Sequence, residues 1–307
     1  MFVSNHPLLQ QLLKRAAMVA RSNAPVLITG ESGTGKEVMA RFIHGQSGSS
    51  SFVAVNCAAL PRDVIDNELF GHEKEAFTGA VSKKSGCFEL ANNGTLFLDE
   101  IAEMQPGVQA KLLRAVETKR FRRLGGQEEV EVEVRILSAT NRNIPDAIAS
   151  GALREDVYYR LGVVEIVMPP LRERSTDVPL LLRHFAALLC QRYNKPPLVF
   201  TDETMEMLTA YRWPGNVREL RNIVESLVIV SDGSPVEPHL LPERIAREHA
   251  IRTAITVPVG SSIEEVEWML IDHTLKATGG NKSRAAQILG VSRKYLYDKL
   301  RARGRSA

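Results

Sequence analysis

Residues 26–45 read VLITGESGTGKEVMARFIHG. The stretch begins as a short apolar strand, breaks into the glycine-rich turn GESGTG, and opens a helical pattern at Lys36. The glycines let successive backbone N–H groups turn towards one anion, and the helix N-terminus adds the positive end of its dipole. The spacing G-x-x-x-x-G-K between a strand and a helix is that of a phosphate-binding P-loop. The expected nucleotide contacts are Gly30, Glu31, Ser32, Gly33, Thr34, Gly35, Lys36 and Glu37, with Lys36 reaching the β and γ phosphates. The position after the lysine, usually a Ser or Thr that touches Mg²⁺, is Glu37, so the metal must be held differently.

Four more apolar or β-branched runs follow: FVAVN (52–56), TLFLD (95–99), VRILSAT (134–140) and VVEIVM (163–168). Several are apolar nearly throughout, as strands covered on both faces must be. Helical stretches such as QAKLLRAVETK lie between them. This alternation predicts an α/β domain with a parallel sheet over residues 1–170. After PPLRER the strands stop, and residues 171–245 read as a helical subdomain in which Thr201 caps a helix with Thr204 at its third position. Residues 246–262 are read as a linker.

Other polar groups fall at the predicted strand ends. GTLFLDE delivers Asp99 and Glu100, a Walker B pair in which Asp99 holds Mg²⁺ and Glu100 polarises the attacking water. SATNRN ends the fourth strand with Thr140 and Asn141, which either sense a γ phosphate or cap the strand. Arg154 and Arg160 in LREDVYYRL are either transition-state arginines for a neighbouring subunit or surface ion-pair partners. In WPGNVREL, Asn216 is expected to cap a helix. Arg218 in its first turn opposes the helix dipole, a mild penalty that suggests a use on nucleotide phosphates.

The last segment, 263–307, reads as three helices. The first carries Ile263, Val266, Leu270 and Thr274 at helical spacing. The other two are joined by a Gly-containing turn, with Ser292 as cap, and predict an all-α helix-turn-helix domain. Arg293, Lys294 and Tyr297 would face base edges, and Lys299, Arg301 and Arg303 phosphates. Net charge agrees. From Lys276 onward nine Lys and Arg face one acid, Asp298, whereas the preceding chain holds 30 basic and 35 acidic residues. A segment of +8 behind a body of −5 points to a polyanion partner at the C-terminal end.

No apolar run approaches the ~18 residues that span a bilayer. The N-terminus lacks a signal-peptide pattern, so no membrane partner and a cytoplasmic location are expected. Cys57, Cys87 and Cys190 stand far apart, without metal or disulfide spacing.

Taken together, GESGTGKE, ELFGHEKEAFTGA, GTLFLDEI, REDVYYRL, PPLRER and WPGNVREL resemble the bacterial enhancer-binding proteins. These are NtrC-type, sigma-54-dependent transcriptional activators of the AAA+ ATPase superfamily, and the likeness covers nearly the whole chain. The resemblance implies an AAA+ P-loop sheet with a helical lid and a Fis-type helix-turn-helix domain. It implies ATP and Mg²⁺ as cofactors, with Glu after the P-loop lysine an ordinary family feature. It matches Asn56 to the polar residue that restrains the catalytic glutamate, Thr140 and Asn141 to sensor I, and Arg154 and Arg160 to arginine fingers across a subunit interface. Arg218 matches the sensor II arginine. The implied partners are sigma-54 RNA polymerase holoenzyme, enhancer DNA and further copies of the chain, from a dimer to a hexameric ring. The family's regulatory domain would precede residue 1; the chain is then either a piece of such a protein or a member controlled by a separate one.

The same resemblance gives the segment EAFTGA, 75–80, a purpose. The family's GAFTGA loop engages sigma-54, and Phe77 and Thr78 match its contacting residues. Here the first glycine is Glu75. Two functions follow: an ATP-driven activator that remodels the sigma-54 closed complex, or a DNA-binding relative in which Glu75 impairs that step. ATP turnover with weakened sigma-54 binding is the expectation for Glu75.

Overall fold

The computed structural model describes residues 2–61, 64–76, 80, 82–253 and 257–302. They divide into two compact units, 1–245 and 246–307.

The first unit is built on five parallel strands: β1 (Val26–Thr29), β2 (Phe52–Asn56), β3 (Gly94–Asp99), β4 (Val134–Thr140) and β5 (Val164–Val167). Their order across the sheet is β2-β3-β4-β1-β5. Side chains alternate between two cores, as a strand period of two requires. Leu96, Leu98 and Ile136 enter one with Phe88 and Leu112, while Phe97, Leu137 and Ala139 enter the other with Leu9, Met39 and Ile43. Helices Pro7–Ala20 and Lys36–Ser47 cover the second face, and helix Pro106–Thr118 covers the first. Burial on both sides explains why these strands read as continuous apolar runs. Register aligns Asn56 with Asp99 and Thr29 with Thr140. The P-loop, the two acids and the sensor pair therefore emerge at one end of the sheet, where α/β folds bind ligands.

Helices Val178–Tyr193, Asp202–Ala210 and Asn216–Val230 form the expected helical subdomain. The Thr201 hydroxyl accepts the Thr204 N–H at 3.3 Å, as a helix cap should. Trp213 is fully buried, edge-on to Tyr211, and donates its indole N–H to the Leu208 carbonyl at 2.9 Å.

Three expectations are corrected. Helix Glu243–Thr253 runs through the first part of the predicted linker, because no residue between Glu243 and Thr253 breaks it. Asn216 does not cap its helix: it occupies the first helical position at φ 51°, and its side chain is used elsewhere. In helix Ile263–Ala277, Ile263 and Leu270 are exposed, at 89% and 47%. The packed face is the neighbouring stripe, with Ile271 buried and Trp268 and Leu275 against it.

The second unit's core joins Ile271 to Ala285 and Ala286 of helix Lys282–Leu289 and to Leu296 and Leu300 of helix Arg293–Ala302. Small alanines let the helices approach closely. Gly290, at φ 68°, ends the middle helix in the left-handed conformation that glycine adopts without strain.

Candidate functional site

The P-loop wraps tightly. Gly30, Gly33 and Gly35 have φ of 140°, 78° and 103°, all in the region that favours glycine. A Cβ on Gly33 would lie 2.4 Å from the Gly215 carbonyl oxygen, so the loop is pressed directly against the lid backbone. Lys36 is 6% exposed; its Nζ donates to the Gly30 carbonyl at 2.9 Å and lies 3.4 Å from Glu100 Oε1. The Thr34 hydroxyl donates to the Glu31 carbonyl at 2.8 Å and helps close the turn. Glu37 points away, its carboxylate accepting from Arg41 at 2.7 and 2.9 Å.

Glu100 has φ 55° and ψ 52°. This left-handed conformation costs a side-chain-bearing residue about 1–2 kcal/mol, and it sits here between catalytic candidates. It sets one carboxylate oxygen beside Lys36 and the other under the Asn141 N–H at 2.8 Å. Asp99 lies next to it, half buried. Burial first, and then the Glu100 charge, raise its carboxyl above the usual aspartate range. Two adjacent acids thus share one close cation, Lys36. Asp99 and Glu100 offer carboxylate oxygens of the kind a hard divalent cation takes, although no group of three or more His, Cys, Asp or Glu gathers for one among the described residues. Thr140 is fully buried, and its hydroxyl accepts the Arg142 N–H at 3.2 Å.

Asn56 is not brought to the glutamate. Its Oδ1 accepts the N–H groups of Ala58 and Ala59 at 3.0 and 3.1 Å, holding its own turn. Arg154 is exposed and paired with Asp156 at 2.7 Å. Arg160 is also exposed and lines a cavity with Gly94 and Val134, at the N-terminal ends of β3 and β4. Six-residue β3 separates that end from Asp99, roughly 17 Å at the rise of a strand.

The lid grips the loop through Arg172, which the sequence did not single out, and through Asn216 and Arg218, which it did for other roles. Arg172 forms a two-pronged pair with Glu31 at 2.7 and 2.9 Å, holding that carboxyl below its ordinary range. Asn216, fully buried, accepts the Leu171 N–H at 2.7 Å and donates to the Ser32 carbonyl at 3.0 Å and Glu31 Oε2 at 3.2 Å. Arg218 donates to the Ser32 hydroxyl at 2.6 Å. Beyond Thr34 and Gly35 lies a cavity of about 160 Å³ with apolar walls from Phe2, Val3, Val38, Leu181 and Phe185. Arg174, His184 and Val217 complete its lining.

The residues flanking EAFTGA form a braced neck. Arg123, 10% exposed, donates to Glu89 at 2.6 and 2.9 Å and to Glu73 at 2.8 Å; it holds the Glu89 carboxyl low, and Lys83 first and then Arg123 hold Glu73 low. The Glu75 N–H donates to the Ala80 carbonyl at 2.9 Å. Glu75 has φ 65°, a glycine-like angle carried by a charged residue that is 80% exposed and lies 3.4 Å from Lys74 Nζ. Phe77 and Thr78 fall outside the described residues.

In the second unit the Ser292 hydroxyl accepts the Tyr295 N–H at 3.1 Å, capping the last helix. Leu296 and Leu300 turn inward, while Arg293, Lys294, Tyr297 and Arg301 stand exposed. Lys282 sits 5.1 Å over the Tyr297 ring. Lys299 is less free than a phosphate contact should be: it donates to Glu267 at 2.7 Å, and the same carboxylate accepts the Tyr295 hydroxyl. Arg303 lies outside the described residues.

Three family descriptions match in sequence: Sigma-54 interaction domain over 2–167, AAA+ ATPase lid domain over 172–256, and Bacterial regulatory protein, Fis family over 262–302. The chain belongs to the sigma-54-dependent transcriptional activators. It is 42% identical to Regulatory protein AtoC of Escherichia coli (strain K12), covering 98% of this chain and 67% of that one. It is 44% identical to Transcriptional regulatory protein ZraR of Salmonella typhimurium, covering 97% and 68%. Crystal structures of NtrX from Brucella abortus share its fold. In complex with ADP the TM-score is 0.76 at 35% identity, over 98% of this chain and 69% of that one; in complex with ATP it is 0.74 at 36%, over 99% and 69%. The activator therefore spans about two thirds of the length of these relatives. Its first part is an AAA+ ATPase that binds nucleotide, and its partners are sigma-54 and DNA. Among the described residues, no helix is long and apolar enough to cross a membrane.

Proposed function

We propose that this activator hydrolyses ATP at the C-terminal end of its sheet and uses the cycle to remodel the sigma-54 closed promoter complex from enhancer DNA. One observation carries the reading: Lys36 and Glu100 meet at 3.4 Å, with the glutamate held from behind by the Asn141 N–H. Lys36 neutralises the β and γ phosphates, and Glu100 orients and polarises the attacking water. Mg²⁺ bound at Asp99 would draw charge off the phosphate oxygens. Thr140 and Asn141 register the γ phosphate, and Arg218 moves from Ser32 onto it. The base enters the cavity beside Phe2 and Val38. Asn56 meets Glu100 only after releasing Ala58 and Ala59, so its restraint of the glutamate belongs to another nucleotide state.

Arg160 stands a strand length from its own Asp99, which supports its acting, with Arg154, on a neighbouring subunit in a ring. Phe77 and Thr78 engage sigma-54. Arg293, Lys294, Tyr297 and the cap Ser292 read DNA, with Arg301 and a released Lys299 on phosphates. Domain limits at 170, 245 and 262 and a cytoplasmic location complete the proposal.

The test is a pair of variants. Lys36→Ala should abolish ATP binding; Glu100→Gln should retain binding and lose about 100-fold or more in hydrolysis. ATP turnover surviving Lys36→Ala would overturn the site. A second reading, impaired sigma-54 remodelling, is favoured by the φ of 65° at Glu75.

A further inference from the structure

Three residues near the chain's beginning, Ser4, Asn5 and His6, are wired to the phosphate loop. The Ser4 hydroxyl donates to Asp177 Oδ2 at 2.6 Å, and the N–H groups of Asn5 and His6 donate to Asp177 Oδ1 at 3.0 and 3.2 Å. Asp177 is fully buried, so a carboxylate there must be satisfied by such donors. On its other side stands Arg174, 2% exposed, with Nη1 at 3.9 Å from Asp177 Oδ2. Arg174 Nη2 donates to the Thr34 carbonyl at 2.9 Å, inside the P-loop. The segment ahead of Ser4 is pinned as well. Phe2 packs edge-on against Phe42 of the helix that follows the P-loop, and Gln10 donates to the Ser4 carbonyl at 2.6 Å.

The two ends of this network serve different parts of one cavity. Thr34 and Gly35 form its phosphate-side rim, and Phe2 and Val3 form its opposite wall. Neither group is joined to the other by regular secondary structure. Besides the Phe2–Phe42 contact, the Arg174–Asp177 pair spans the two groups. At 3.9 Å it is an ion pair without a direct hydrogen bond, and Arg174 Nε has no partner, so the pair adds little stability and its value lies in fixing geometry.

We propose that Asp177 and Arg174 are positioning residues for nucleotide binding: they tie the Ser4–His6 strap to the P-loop, so that the wall for the nucleoside is set at a fixed distance from the phosphate cradle. The proposal rests on the reading of the 160 Å³ cavity as the base site. Removing the Ser4 hydroxyl loosens the strap, which keeps the Asn5 and His6 bonds to Asp177, and leaves the P-loop anchor intact. ADP should then bind less well, while inorganic pyrophosphate, which lacks the nucleoside, should not notice. Removing the Arg174 guanidinium loosens both ends.

Titration calorimetry of the full chain with ADP and with pyrophosphate tests this. Loss of a hydrogen bond to a buried carboxylate is expected to weaken ADP about tenfold in Ser4→Ala, with pyrophosphate changed less than about twofold. Ser4→Thr, which keeps the hydroxyl, should restore ADP affinity. Arg174→Met should weaken both ligands. Equal losses for ADP and pyrophosphate in Ser4→Ala, or no loss for either, would overturn the strap. Val38→Trp, which fills the cavity, separates the two ideas. If it weakens ADP while Ser4→Ala does not, the base site stands and the strap falls. If Val38→Trp leaves ADP affinity intact, the base site itself is wrong and the inference goes with it.

Discussion

Replacing Asn216 gives the sharpest test of how the lid holds the loop. Its side chain makes three hydrogen bonds in a fully buried setting, and its backbone sits at φ 51°. In Asn216→Ala the Leu171 N–H and the Ser32 carbonyl lose their partner, at a cost of about 1–3 kcal/mol each if left dry. Alanine also tolerates the left-handed angle less well than asparagine, adding about 1 kcal/mol. A total of about 3–7 kcal/mol is large beside the whole stability of a domain. At roughly 2–4 °C per kcal/mol for a unit of this size, the first unit should melt about 6–28 °C lower. Asn216→Gly loses the same hydrogen bonds and gains a residue at ease with that φ, so it should recover about 1 kcal/mol of the difference. Differential scanning calorimetry of the full chain reads both variants. A Gly variant no more stable than the Ala variant, or an Ala variant melting within about 2 °C of the parent, would refute the account of Asn216 as the buried pivot between lid and loop.

Asp99, whose carboxyl is raised by burial, should make the fold less stable as pH rises through its folded pKa, because the unfolded chain releases that proton more readily. Asp99→Asn should therefore melt higher at neutral pH while losing ATP turnover, and the gain in melting temperature should vanish in acid; a lower melting temperature at neutral pH contradicts the sign. Glu75→Gly relieves a left-handed angle at the loop neck, so ATP turnover should stay unchanged while trapping on sigma-54 with a transition-state analogue tightens. Equal sigma-54 binding by both forms sinks that expectation. Glu267→Gln should release Lys299 to a DNA phosphate and steepen the salt dependence of DNA binding by about 0.9 in log–log slope. An unchanged slope would place Lys299 away from the backbone.

Much of this was legible because the chemistry forces a residue type into a spacing. The P-loop glycines, the acids ending β3 and the alternating cores all follow from local rules. Missed features depend on contacts far apart in sequence. Asn216 looked like a helix cap because Asn after Pro-Gly usually is one; its partner Glu31 lies 185 residues away. Phe2, Ser4, Arg174 and Asp177 received no individual role, because their partners lie far from them in sequence. The helix phase was misread because Ile263–Ala277 carries two overlapping apolar stripes, and only Ala285 and Leu296 decide which one packs. Glu75 showed its identity in the sequence but not its backbone angle.

Arg160 carries a consequence for control. If it completes a neighbour's site, as proposed, no single chain holds a full set of charges, and the rate per chain depends on how many copies are close by. DNA that gathers several helix-turn-helix units raises their effective concentration without any new contact between the ATPase parts. The enhancer would then act as a catalyst's scaffold: dilution off the DNA silences turnover, and crowding on it starts the cycle.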